Sequence, residues 1–143
     1  MNRFNRLIQL NYRLGHVRGG GILLIIKPFR CLIGRLIRWY YHCDIPYSAD
    51  IVGVSFMHKG FGVVINPKAK IGEGTIIQHG VTIGEIGDGY PTIGKNCFIG
   101  AKAIIIGGIS IGDEVKVGAG AVVIHDVPDG ATVVGVPAKI VSR

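Results

Sequence analysis

An apolar residue returns every six positions along most of this chain. Ile65, Ile71, Ile77 and Ile83 form one run, and after a ten-residue step Ile93, Ile99, Ile105, Ile111, Val117 and Val123 continue it. An earlier run, Ile45, Ile51, Met57 and Val63, slips by two residues into Ile65. Self-similarity at a short fixed period marks a solenoid, in which each repeat buries its apolar residue only against the repeats above and below it. The expected fold is all-β, a parallel β-helix. Each hexapeptide gives a short strand and a corner, and three make a triangular coil with the Ile or Val pointing inward. Gly or Ala beside it suits the corner, where Gly tolerates positive φ.

Composition agrees. The chain has 143 residues, 48% hydrophobic, with 23 Gly and only 6 Pro. That is one domain's length and too apolar for disorder. The net charge of +7 is unevenly placed. Residues 1–44 hold eight basic residues and one acid, Asp44, whereas residues 45–143 hold eight of each sign. The division expected is a basic helical N-terminal arm over 1–43 and a β-helix domain over 44–143. In the arm, Leu32, Ile33, Leu36, Ile37 and Tyr40 alternate with Arg30, Arg35 and Arg38 at helical spacing. Such an amphipathic face packs on a core or partner subunit, or lies on an anionic membrane. Three cysteines without CxxC spacing give neither a disulfide framework nor a zinc site, and the apolar run Gly21–Ile26 is too short to span a bilayer. The expected setting is cytoplasmic, with contact at the inner membrane face through residues 1–43; nothing points to nucleic acid.

Taking the inward positions in threes puts Met57, Ile77, Ile99 and Val117 on one face. His58, Gln78, His79, Ala101 and Ala119 then line one side of the prism in successive coils. The four extra residues between Ile83 and Ile93 must leave the coil as a loop over Glu85–Thr92, where Gly87, Asp88, Gly89 and Pro91 are turn formers. This loop is expected to wall a binding site next to His79.

The stretches Met57-His58-Lys59-Gly60-Phe61-Gly62-Val63-Val64-Ile65-Asn66, Gln78-His79-Gly80-Val81-Thr82-Ile83-Gly84, Ile99-Gly100-Ala101-Lys102-Ala103 and Gly135-Val136-Pro137-Ala138-Lys139 carry a resemblance. From Asp44 to Val141 the chain resembles the hexapeptide-repeat acyltransferases of the serine acetyltransferase branch. Within them it looks closest to O-acetyltransferases of capsule and exopolysaccharide synthesis, of the colanic-acid type. The resemblance implies a left-handed β-helix, a homotrimer with sites between adjacent prisms, acetyl-CoA as donor and no metal. It makes His58 the general base, oriented by Asp44, with His79 a second site group. An imidazole titrating near neutrality suits removal of a hydroxyl proton during attack on a thioester. The resemblance also places Gly84, Ala101 and Ala119 along the pantetheine arm, with Lys116, Lys139 and Arg143 toward the phosphates. Met57, Gln78 and Tyr90 would face the acceptor.

Two departures bear on the acceptor. Serine acetyltransferases carry an acid before the base histidine and an Arg-His pair in the loop; here those places are Met57 and Gly89-Tyr90. A zwitterion needs opposing charges, so the expected acceptor is a sugar or oligosaccharide hydroxyl, with serine the alternative. A γ-carbonic-anhydrase-like zinc protein and an inactive scaffold share the fold and are the remaining alternatives.

Overall fold

The computed structural model describes residues 3–15, 20–51 and 53–142. Two helices, α1 (Arg3–Gly15) and α2 (Gly20–Tyr41), precede a stack of short parallel strands. The strands form three sheets, the three faces of a β-helix. Ile45, Ile65, Ile83, Ile105 and Val123 stack on the first face, and Ile51, Ile71, Ile93, Ile111 and Val127 on the second. Phe56, Ile77, Ile99, Val117 and Val133 stack on the third. All fifteen are buried. Next to each strand a second small residue, such as Ala69, Val81, Cys97, Ala103 or Val115, fills the corner.

The register differs from expectation in the first coil. Phe56, not Met57, pairs with Ile77 and is fully buried, while Met57 is 43% exposed. Two large apolar neighbours compete for one inward position. The aromatic ring takes it because α1 supplies a partner: Phe4 stands edge-on to Phe56 at 5.9 Å. The surplus residues are thereby moved into the corner that follows, at Met57–Gly60.

Tight coil spacing depends on glycine at one corner. A Cβ on Gly72 would lie 2.6 Å from the carbonyl carbon of Gly94, and one on Gly94 would lie 2.6 Å from that of Gly112. These glycines are required by backbone approach.

The helices close one end of the prism. Phe4 and Ile8 of α1 and Ile33 and Ile37 of α2 are buried in the same core as the stacked isoleucines. Asn5 Oδ1 accepts the Phe56 backbone N–H at 3.0 Å, and Gln9 Nε2 donates to the Ile51 carbonyl at 3.1 Å. Among the described residues no helix is long and apolar enough to cross a membrane. At the other end Lys139–Ser142 folds back antiparallel onto Thr132–Val134.

The thiols report this packing. Cys31 is exposed; Cys43 and Cys97 are buried. Burial, and secondarily the nearby Asp44 carboxylate, pushes the Cys43 thiol up to about 11. Burial also raises Cys97, whose Sγ donates to the Gly112 carbonyl at 3.1 Å. A thiol with a raised pKa stays protonated and unreactive below it. Ellman's reagent at about pH 8 is therefore expected to titrate one thiol rapidly and the other two only after denaturant is added. The same shift makes the Cys43 contribution to stability fully present below the ordinary thiol range and lost as pH rises through about 11.

Candidate active site

The corner that joins the third face to the next coil's first face carries both histidines. His58 leads three consecutive left-handed residues, with φ of 49° at His58, 60° at Lys59 and 61° at Gly60. For the two non-glycine residues that conformation costs about 1–2 kcal/mol each, so the surroundings must hold it. They do so from below: the Phe4 ring sits on Gly60, where a Cβ would come within 2.5 Å of it. The Gly60 carbonyl accepts the Val63 N–H at 3.0 Å, and the Gly62 N–H reaches back to the His42 carbonyl at 3.1 Å. The result is a rigid turn that lifts the His58 imidazole off the prism wall.

One coil further on, His79 meets it. The ring centroids are 5.2 Å apart and the planes 89° from each other, an edge-to-face contact. His79 Nδ1 is buried and has no hydrogen-bond partner. The His79 carbonyl accepts the Lys102 N–H and the Ala101 carbonyl accepts the Gly120 N–H, at 2.9 and 2.8 Å. His58, His79, Ala101 and Ala119 therefore do occupy one corner in successive coils, with Gln78 half-buried beside it. The two alanines continue that corner in the two coils beyond His79.

Other expected members lie elsewhere. Gly84 ends the first-face strand Thr82–Gly84 and pairs with Ile106. Lys116 and Lys139 belong to third-face strands; Arg143 is outside the described residues. The loop corrects a further expectation. It leaves from the corner between the first and second faces, so the whole Thr82–Gly84 strand separates it from His79. Ile86 and Gly89 close it with mutual backbone bonds of 3.2 Å. Tyr90 faces Lys68, whose Nζ donates to its hydroxyl at 3.2 Å. Within one chain Tyr90 walls off neither histidine.

Asp44 opens the first face, its backbone N–H bonding to the Val63 carbonyl at 2.8 Å. Its carboxylate accepts from Arg38 Nη2 at 2.8 Å, with side-chain exposures of 71% for Arg38 and 52% for Asp44. So exposed a pair is worth about 0–1 kcal/mol, which leaves the carboxylate free to exchange partners. Arg38 and the Phe4–Gly60 buttress had no sequence signal: the arginine is one of several on α2, and Phe4 lies more than fifty residues before the turn it supports. Among the described residues no three His, Cys, Asp or Glu side chains are grouped to hold a metal.

Apolar side chains flank the histidine corner on the outside. Phe61 at the corner, Val64 on the first face and Ile76 and Phe98 on the third are 36–56% exposed.

Residues 92–124 match a family described as the hexapeptide repeat of succinyl-transferase. A serine acetyltransferase of Helicobacter pylori is 39% identical over 138 residues, covering 94% of this chain and 79% of that protein. One of Bacillus subtilis is 40% identical over 114 residues, covering 77% of this chain and 52% of that protein. Among solved structures, Neisseria gonorrhoeae serine acetyltransferase in complex with serine superposes with a TM-score of 0.79 at 35% identity, over 97% of this chain and 55% of that one. A serine acetyltransferase complex with CoA gives 0.79 at 31%, over 96% and 56%. The chain thus spans about half the length of these solved proteins. These likenesses correct the acceptor expected above. The exopolysaccharide type and the sugar hydroxyl, inferred from uncharged Met57 and Tyr90, give way to relatives that are serine acetyltransferases along nearly the whole chain.

Proposed function

We propose that this chain, which belongs to the serine acetyltransferase family, transfers the acetyl group of acetyl-CoA to the hydroxyl of serine. The observation that carries the reading is the paired imidazoles of His58 and His79 on one corner, within a chain 39% identical to a serine acetyltransferase over 94% of its length. In the proposed reaction the serine oxygen attacks the thioester carbonyl carbon as His58 takes its proton. The tetrahedral intermediate then expels the CoA thiolate, which recovers the proton from the imidazolium. His79, whose Nδ1 has no hydrogen-bond partner, is assigned the role of hydrogen-bonding the acceptor oxygen or the thioester oxygen. Asp44 serves as the orienting carboxylate of His58, a role it takes by exchanging out of the weak Arg38 pair. The pantetheine arm follows the small residues Ala101 and Ala119, with Gly84 on the adjoining face. Lys116 and Lys139, on third-face strands, are the proposed phosphate contacts, and Met57, Gln78 and Tyr90 are the proposed acceptor contacts.

The working unit proposed is a homotrimer. Phe61, Val64, Ile76 and Phe98 give the two faces beside the histidine corner an apolar surface, and burying it against a neighbouring prism encloses a corner that is open in one chain. It also allows a neighbour's loop, with Tyr90, to complete the acceptor wall.

The test is CoA release from acetyl-CoA by the purified full chain, with and without L-serine. Serine-dependent, saturable release and a product one acetyl heavier than serine are expected. Release that serine does not stimulate, from protein that binds CoA, would overturn the assignment.

A further inference from the structure

The outer side of α2 carries a surface that neither the prism nor the proposed site uses. Its inner side is spent on the core: Ile33 and Ile37 are buried and Tyr41 packs edge-on to Phe4 at 4.6 Å. The stripe beside it is apolar as well. Leu32, Leu36, Trp39 and Tyr40 recur at helical i, i+4, i+7, i+8 spacing, and are 53%, 51%, 75% and 65% exposed. Leu36, Trp39 and Tyr40 join Leu7 of α1 around an open groove of about 240 Å³. An exposed aromatic and aliphatic patch of this kind marks an interaction surface.

Charge decides the occupant. Residues 1–43 contain eight Arg and Lys and no Asp or Glu. Arg35 sits within the stripe and is exposed. A second copy docking through the same face would set Arg35 against its own counterpart, with no acid in residues 1–43 to pair it. Nor does the rest of the chain offer an excess of acid, since residues 45–143 are balanced. Trp and Tyr beside Leu, bordered by Arg on an in-plane helix, fit the boundary between headgroups and acyl chains of an anionic bilayer. There the rings sit half-immersed and the guanidiniums meet lipid phosphates. We infer that α2 is a membrane-surface helix which seats the full chain reversibly on anionic phospholipid through Leu32, Leu36, Trp39 and Tyr40. The inference is independent of which acceptor the active site uses.

Trp39 is the sole tryptophan of the chain, so it reports its own insertion. Vesicles of mixed phosphatidylglycerol and phosphatidylcholine, added to the full chain at low salt, are expected to shift its emission to the blue and to float with the protein. Phosphatidylcholine vesicles alone should do neither, and raising salt to about 0.5 M should reverse binding as screening shortens. Leu36→Ser and Arg35→Glu should each lower the partition coefficient about tenfold or more, with CoA release in solution and far-UV circular dichroism unchanged. Three results would overturn the proposal: no flotation with anionic vesicles, equal flotation of the Leu36→Ser chain, or a Trp39 shift that follows protein concentration rather than lipid. The last would make the stripe a contact between copies.

Discussion

His58→Ala lowers serine-dependent CoA release about 10²–10⁴-fold, the span that a positioned general base supplies, while the protein stays folded. The expected size follows from where the imidazole stands. It rises from a turn of three left-handed residues fixed by Phe4 on Gly60, and its nearest ring neighbour is another imidazole. Removing it leaves only the imidazole of His79, one coil further on, at that corner. The measurement is kcat with serine saturating, alongside the KM for acetyl-CoA, which should barely change because the alanine strip is untouched. Turnover within a factor of about three of the parent would remove His58 as base. His79→Asn is the informative companion: a residue that orients or hydrogen-bonds substrate shows a smaller loss than the base itself.

The largest expected effect on stability lies one step away. Phe56→Ala should cost about 3–5 kcal/mol, the usual range for a buried phenylalanine truncated to alanine. Phe56 is fully buried, stacks on Ile77 in the next coil and meets Phe4 edge-on, so the cavity would open where cap, first coil and the His58 turn join. Urea unfolding gives the comparison, with Ile99→Ala, also fully buried, as the reference for a plain mid-prism site. Because the cavity undercuts Gly60, Phe56→Ala should also slow CoA release at temperatures where it remains folded, which Ile99→Ala should not. Equal activity losses in the two variants would separate the turn's geometry from its buttress.

The repeat is legible because its physics is local: from Ile65 to Val123 an Ile or Val returns at each inward position, and the register in threes puts His58, His79, Ala101 and Ala119 on one corner. It failed at two points for reasons outside the repeat. At Phe56-Met57 both residues suit the core, and the choice is made by Phe4 from a distant helix. At Glu85–Thr92 the residue count requires a loop, but adjacency in sequence to His79 is not adjacency in space, because the strand Thr82–Gly84 lies between the two corners. The acceptor does not follow from uncharged Met57 and Gly89-Tyr90 or from the presence of His79. Charge missing at two positions weighs less than 39% identity to a serine acetyltransferase over 94% of the chain. The Arg38–Asp44 pair depends on where α2 ends against the first coil, which no spacing encodes.

The helical cap has one more consequence. A prism of parallel coils is open-ended: the first and last coils present backbone groups to which an identical chain could add, coil upon coil, into a filament. Here Asn5 and Gln9 of α1 occupy the Phe56 N–H and Ile51 carbonyl at the first edge. At the last, the Val122 N–H bonds to the Gly135 carbonyl and the Val122 carbonyl accepts the Ala138 N–H, while Lys139–Ser142 runs in the wrong direction for another parallel coil. Both edges of the stack are thus occupied by this chain's own segments, which leave an identical copy no free parallel edge to extend.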